Sequence, residues 1–72
     1  MSSECTGKTS WPELLGTDGS YAVSVIESEN PSVNAVVILA GSPVTGDFRC
    51  DRVRVYVKKG AKGTVVEVPR VG

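Results

Sequence analysis

The chain has no histidine, and its charges cancel, with eight lysines and arginines against eight aspartates and glutamates. Without histidine, neither a Ser-His-Asp nor a Cys-His machine can be assembled, and histidine metal sites are excluded. Cysteine is nearly absent as well: Cys5 and Cys50 are too few for a structural zinc. Without an excess of one sign, no broad field draws in nucleic acid or an anionic membrane, so neither is expected as a partner. No apolar run approaches the roughly 20 residues that span a bilayer. The opening Met-Ser-Ser-Glu-Cys lacks the charged and apolar regions of a signal peptide. A soluble protein is expected, its compartment open between cytoplasmic and secreted or vacuolar. Internal repeats and low-complexity segments are missing too.

Seventy-two residues make one small domain, 1–72, close to the size at which a hydrophobic core alone barely suffices. So small a domain has little room to enclose a substrate, so an enzyme is not expected, nor any cofactor. With balanced charge and a small core, a monomer is the default. A covalent staple would help, and a bridge between Cys5 and Cys50 would tie an N-terminal arm to a distant loop. Composition alone also allows two free thiols in a reducing compartment.

What is present reads as one helix and three strands. Residues 1–10 are small and polar and form the arm. Within it Thr6-Gly7-Lys8-Thr9 resembles the end of a phosphate-binding loop, but Ser2 stands where that motif needs glycine. Trp11-Pro12-Glu13-Leu14-Leu15-Gly16 predicts a short helical turn whose Trp11 and Leu15 close an edge of the core. From Gly19 to Glu29 the apolar Tyr21, Ala22, Val25 and Ile26 recur at helical spacing behind the capping side chains of Thr17-Asp18-Gly19-Ser20. Asn30, able to turn left-handed, and Pro31 end this helix. Glu27 and Glu29 are no catalytic pair: two apart on a helix, they point in different directions and belong to a solvated face. Proline in Asn30-Pro31-Ser32 rules out glycosylation there.

The run Ala35-Val36-Val37-Ile38-Leu39 reads as a strand buried on both faces. From Asp51 to Val57 the sequence alternates, with Val53, Val55 and Val57 on a core face and Arg52, Arg54 and Tyr56 opposite. Lys58 to Gly63 forms a polar turn, and Thr64 to Val68 a third strand before the closing Pro69-Arg70-Val71-Gly72.

Between the first two strands lies the stretch 40–50, where Gly41, Pro43 and Gly46 oppose helix and Pro43 favours extended backbone. Long connections of this kind in compact domains usually serve binding or catalysis. In extended chain, Thr45 and Asp47 project to one side, flanking Gly46, and Arg52 and Arg54 likewise share a side. Were the strand to lie under the loop, the guanidinium groups would meet a hydroxyl and a carboxylate and hold the loop stiff. Ordinary surface arginines satisfy the pattern equally well.

Gly41-Ser42-Pro43-Val44-Thr45-Gly46-Asp47-Phe48-Arg49-Cys50-Asp51-Arg52-Val53-Arg54-Val55 resembles the reactive loop and supporting strand of the potato inhibitor I family of serine-protease inhibitors. Cys5 with Gly7-Lys8, Trp11 to Gly16, Glu29-Asn30-Pro31 and Pro69 to Gly72 resemble its disulfide-bearing plant members, so the likeness covers nearly the whole chain. The resemblance implies an α+β fold, a single helix packed on a small mixed β-sheet, with an exposed reactive loop between two parallel strands. It also implies a Cys5–Cys50 bridge and a scissile bond at Gly46–Asp47. Val44, Thr45 and Gly46 would lie on the acyl side, Asp47, Phe48 and Arg49 on the leaving side, and Arg52 and Arg54 would support the loop. Members of the family enter the cleft of a serine protease as an extended, substrate-like strand.

Gly46 departs from the family pattern, which places a sizeable side chain there to fill the protease's primary pocket. An unfilled pocket forfeits roughly 1.5–3 kcal/mol of burial, and glycine adds backbone freedom where stiffness is wanted. The expected targets are therefore subtilisin-like or elastase-like enzymes with permissive pockets, or chymotrypsin-like ones, ahead of trypsin. A storage or interaction protein that kept the fold but lost inhibition is the alternative.

Overall fold

A computed structural model describes residues 5–60 and 63–72; Met1–Glu4 of the expected arm and Ala61–Lys62 of the expected lysine turn lie outside them. One helix, α1 (Gly19–Glu29), packs on a three-stranded sheet of β1 (Asn34–Leu39), β2 (Arg52–Val57) and β3 (Arg70–Val71). The strand order is β1-β2-β3. β1 runs parallel to β2, from Asn34 opposite Arg52 to Leu39 opposite Val57, and β3 runs antiparallel to β2. The expected α+β architecture is the observed one.

Asp18 starts α1 by accepting the Ser20 amide at 3.3 Å. Gly19 lets the helix start close on the sheet, since a Cβ there would sit 2.8 Å from Val57 Cγ1 and 3.2 Å from the Gly63 carbonyl. The buried stripe runs Gly19, Ala22, Ile26. Tyr21, expected on that stripe, is exposed, because it lies about 100° round the helix from Ala22.

At the other end Asn30 stops the helix in extended rather than left-handed conformation, with φ −138° and ψ 90°. A different contact sets that geometry. The buried Asn30 amide donates to the Thr6 and Lys8 carbonyls at 3.1 and 3.0 Å and accepts from the Ser32 amide at 3.1 Å. Glu27 and Glu29 do diverge as expected, yet each has a structural partner. Glu29 accepts from the Trp11 indole at 2.9 Å and from Lys8 at 3.0 Å, while Glu27 accepts from the Ala35 amide at 2.9 Å.

Val53, Val55 and Val57 form the inner face of β2, packed with Trp11, Leu14, Ala22, Ile26, Val33, Val65 and Val71. The turn Pro12–Leu14 is 3₁₀, and it buries Leu14 and exposes Leu15, the reverse of the expected choice. β1 also differs from expectation. It is the edge strand, and Val37 and Leu39 remain 47% and 46% exposed because α1 covers only part of their face. The third strand falls later than expected. Thr64 and Val65 make only isolated bridges, to Asp18 and Val57. Val65 is shared with the segment before α1, donating to the Thr17 carbonyl and accepting from the Gly16 amide. Pro69 has no N–H to give, and its carbonyl serves Trp11, so the ladder resumes only at Arg70.

Candidate functional site

The loop leaves β1 through a turn in which the Ser42 amide donates to the Leu39 carbonyl at 3.0 Å. Gly41 sits there at φ +88°, a conformation that suits glycine. From Pro43 to Cys50 every residue is exposed and none belongs to a helix or strand. Gly46 stands in open space: a Cβ added to it would meet nothing within 4 Å. Phe48 is exposed, with an edge of its ring near Gly72. Between loop and sheet is an open hollow, lined by Pro43, Val44 and Thr45 above and by Val36, Ile38 and the two arginine stems below.

The alternation of β2 sends Arg52 and Arg54 to the face opposite the valine core, and both reach the loop. Arg54 Nη2 donates to the Thr45 carbonyl at 3.0 Å and to Thr45 Oγ1 at 2.8 Å. Arg52 Nη2 donates to the Asp47 carbonyl at 2.8 Å, and its Nη1 lies 3.4 Å from Asp47 Oδ2. Arg54 also lies 3.7 Å from Asp47 Oδ1. Thr45 Oγ1 donates across Gly46 to Asp47 Oδ1. One guanidinium therefore grips each neighbour of Gly46, and the two neighbours grip each other.

Electrostatics agree with this arrangement. The Asp47 carboxyl is lowered to about 2, first by the Thr45 hydroxyl, then by its own backbone amide and by Arg52. Beyond it, Arg49 makes a two-pronged pair with Asp51 at 2.9 Å on each prong. That pairing raises the Arg49 pKa and lowers that of Asp51. A Cys5–Cys50 disulfide closes the end of the loop onto the arm, across a sequence separation of 45.

Two further residues, Gly72 and Asn30, belong to the constellation in roles that the sequence does not signal. The Gly72 carbonyl accepts from Arg52 Nε at 2.8 Å, and the Gly72 amide donates to the Arg52 carbonyl at 2.9 Å. The end of β3 therefore fixes the stem of Arg52 as Arg52 fixes Asp47. No local pattern signals a contact across 20 residues. Asn30 fastens the arm upstream of Trp11 and thereby the segment that carries Cys5.

Residues 3–72 match the model of the potato inhibitor I family. The chain belongs to that family. As a potato inhibitor I protein it is 54% identical over 70 residues to an inhibitor of trypsin and Hageman factor from Cucurbita maxima, spanning 97% of this chain and 100% of that one. It is 56% identical over 70 residues, with the same coverage, to a Glu S. griseus protease inhibitor from Momordica charantia. The crystal structure of bitter gourd trypsin inhibitor superposes with a TM-score of 0.91 at 54% identity, over 97% of this chain and 100% of that one. The family and these relatives are named as inhibitors of proteases, not as enzymes.

Proposed function

We propose that this potato inhibitor I protein is a tight-binding, substrate-like inhibitor of serine endopeptidases that offers the Gly46–Asp47 peptide at the tip of the loop 41–50. Val44, Thr45 and Gly46 occupy the acyl side of the protease cleft and Asp47, Phe48 and Arg49 the leaving side. The observation that carries this reading is the pair of guanidinium grips on either side of an otherwise uncovered Gly46. An exposed loop that is already extended loses little freedom on docking, which favours tight binding. After attack by the protease serine, Arg52 keeps the Asp47 end beside the acyl group, so religation competes with hydrolysis.

Specificity follows from the missing side chain. With nothing at Gly46 to fill a deep primary pocket, enzymes with shallow or permissive pockets, subtilisin-like or elastase-like, bind better than trypsin, whose pocket selects Lys or Arg. The test is a panel of subtilisin, elastase, chymotrypsin and trypsin, with residual activity and loop cleavage followed together over time. Lasting inhibition of the first two with slow cleavage at Gly46–Asp47 is the expected result. Rapid turnover at that bond by every enzyme, with no persistent complex, would replace this reading with a non-inhibitory storage or interaction role.

A further inference from the structure

Arg54 and Arg70 stand opposite each other in the antiparallel pairing of β2 with β3. Residues so paired share a face of the sheet, with Cβ atoms roughly 4.5–5.5 Å apart, and like charges there repel. Little in the chain offsets that repulsion. Among the described residues Arg70 joins no ion pair, and Arg54 has only Asp47, at 3.7 Å and on the side of the loop. Arg54 is nevertheless held fast: its side chain is 16% exposed, and its Nη2 donates to both oxygens of Thr45. Its Nε–H and the two N–H groups of Nη1 have no acceptor among the described residues. No side-chain nitrogen there is both buried and unpartnered, so these three donors open to water. Beside them lies a hollow of about 260 Å³, lined by Arg54, Tyr56, Glu67 and Arg70 among others.

We propose that this hollow binds a small tetrahedral oxyanion, phosphate or sulfate, between the Arg54 and Arg70 guanidinium groups. Its volume falls below the roughly 300–1,000 Å³ of pockets that enclose drug-sized ligands, which suits an ion with a little water. Three donors converge from different directions: Arg54 from β2, Arg70 from β3, and the hydroxyl of Tyr56, diagonal to Arg70 on the same face. Guanidinium forks match the oxygens of such an anion, and Arg54 is already oriented by Thr45, so little freedom remains to be lost there. The anion also neutralises two cations that otherwise oppose each other. Glu67 works against it: its carboxylate lines the same hollow and makes no ion pair within 4 Å among the described residues. Binding is therefore weak, in the millimolar range, and local to this pair rather than drawn by any broad field. Arg54 Nη2 stays on Thr45, so the anion and the loop are held by one side chain at once.

The test titrates the intact chain with inorganic phosphate at constant pH, against sodium chloride of equal ionic strength, and follows the arginine Nε–H signals by NMR. The Arg54 and Arg70 signals move and saturate with phosphate and stay in place with chloride. Arg49, whose Nε–H is bonded to Asp51, is the internal control and does not move. Arg70→Gln, at an exposed side chain with no ion pair to lose, keeps the thermal midpoint of the parent and weakens phosphate binding by about tenfold or more. Glu67→Gln removes the opposing charge and tightens binding by about three- to fivefold, the effect of one unit charge a few ångströms away in water. Shifts that fail to saturate, or that chloride reproduces, overturn the proposal. So does a folded Arg70→Gln variant that binds phosphate as the parent does, or a Glu67→Gln variant that binds it no better.

Discussion

Gly46 is a glycine that its backbone does not require. Its φ is not in the left-handed region that Gly7, Gly16, Gly41, Gly60 and Gly63 occupy, and a Cβ added there meets nothing within 4 Å. A side chain can therefore start from this position without strain in the free protein, and the consequence of substitution falls on the protease. Gly46→Leu adds an apolar occupant for the primary pocket, worth roughly 1.5–3 kcal/mol, and strengthens inhibition of subtilisin and chymotrypsin by about ten- to a hundredfold. Gly46→Lys creates strong inhibition of trypsin. Inhibition constants for the three proteins against the three enzymes check both, and unchanged constants would move the scissile bond elsewhere. Asp47 sets the acid limit of the same loop. Its carboxyl falls from an ordinary value near 3.9 when unfolded to about 2 when folded. The depressed value means its grip is fully present above about pH 4 and is lost as pH falls through about 2. A carboxyl NMR titration of the folded protein therefore gives an Asp47 midpoint near 2; one near 4 denies the contact with Thr45 and Arg52.

The elements were unequally legible. β2 was readable because strict alternation has one interpretation, and α1 because a capping aspartate and a proline stop bracket an amphipathic run. β1 was misread for a physical reason: a continuous branched run is the same string whether neighbours cover it or it ends the sheet. The position of β3 depended on Pro69 and on Val65 bonding the segment before α1, both tertiary facts. Asn30 was read as a helix stop, which it is, but its main task lies beyond the helix. Its buried amide makes three hydrogen bonds, two of them to carbonyls of the arm. Asn30→Ala leaves those carbonyls without their donor and costs about 1–3 kcal/mol. Thermal unfolding then shows a midpoint lower by roughly 5–20 °C, at several degrees per kcal/mol for a chain of this size. A midpoint within a degree or two of the parent would mean that water replaces the side chain. Asn30→Asp, which keeps an acceptor for Ser32 but loses the donors, separates the two halves of the contact.

For the molecule as a whole, the loop was legible in its place between an apolar and an alternating run, and the parity of Thr45, Asp47, Arg52 and Arg54 made their meeting readable. The link from Gly72 to Arg52 was not, since only the closed fold brings β3 beside β2. That closure determines what happens when the Gly46–Asp47 bond is cut. The products, 1–46 and 47–72, divide the fold between β1 and β2, yet six facing residues of the parallel pair and the Cys5–Cys50 bond still join them. Arg54 holds the new Gly46 carboxylate in place through Thr45, and Arg52 holds the new Asp47 amine, so the ends stay within reach of each other. Religation is then an intramolecular reaction, favoured by the entropy already lost in folding. Purified cut protein, incubated with a catalytic amount of subtilisin, converts back towards intact chain until both forms coexist, with intact mass one water lower by mass spectrometry. With Arg52→Ala and Arg54→Ala together, the ends separate, and the same incubation from either side finishes with cut protein. If the parent also runs to complete cleavage, the guanidinium grips do not hold the ends together, and the persistence of any protease complex must come from contacts outside Thr45 and Asp47.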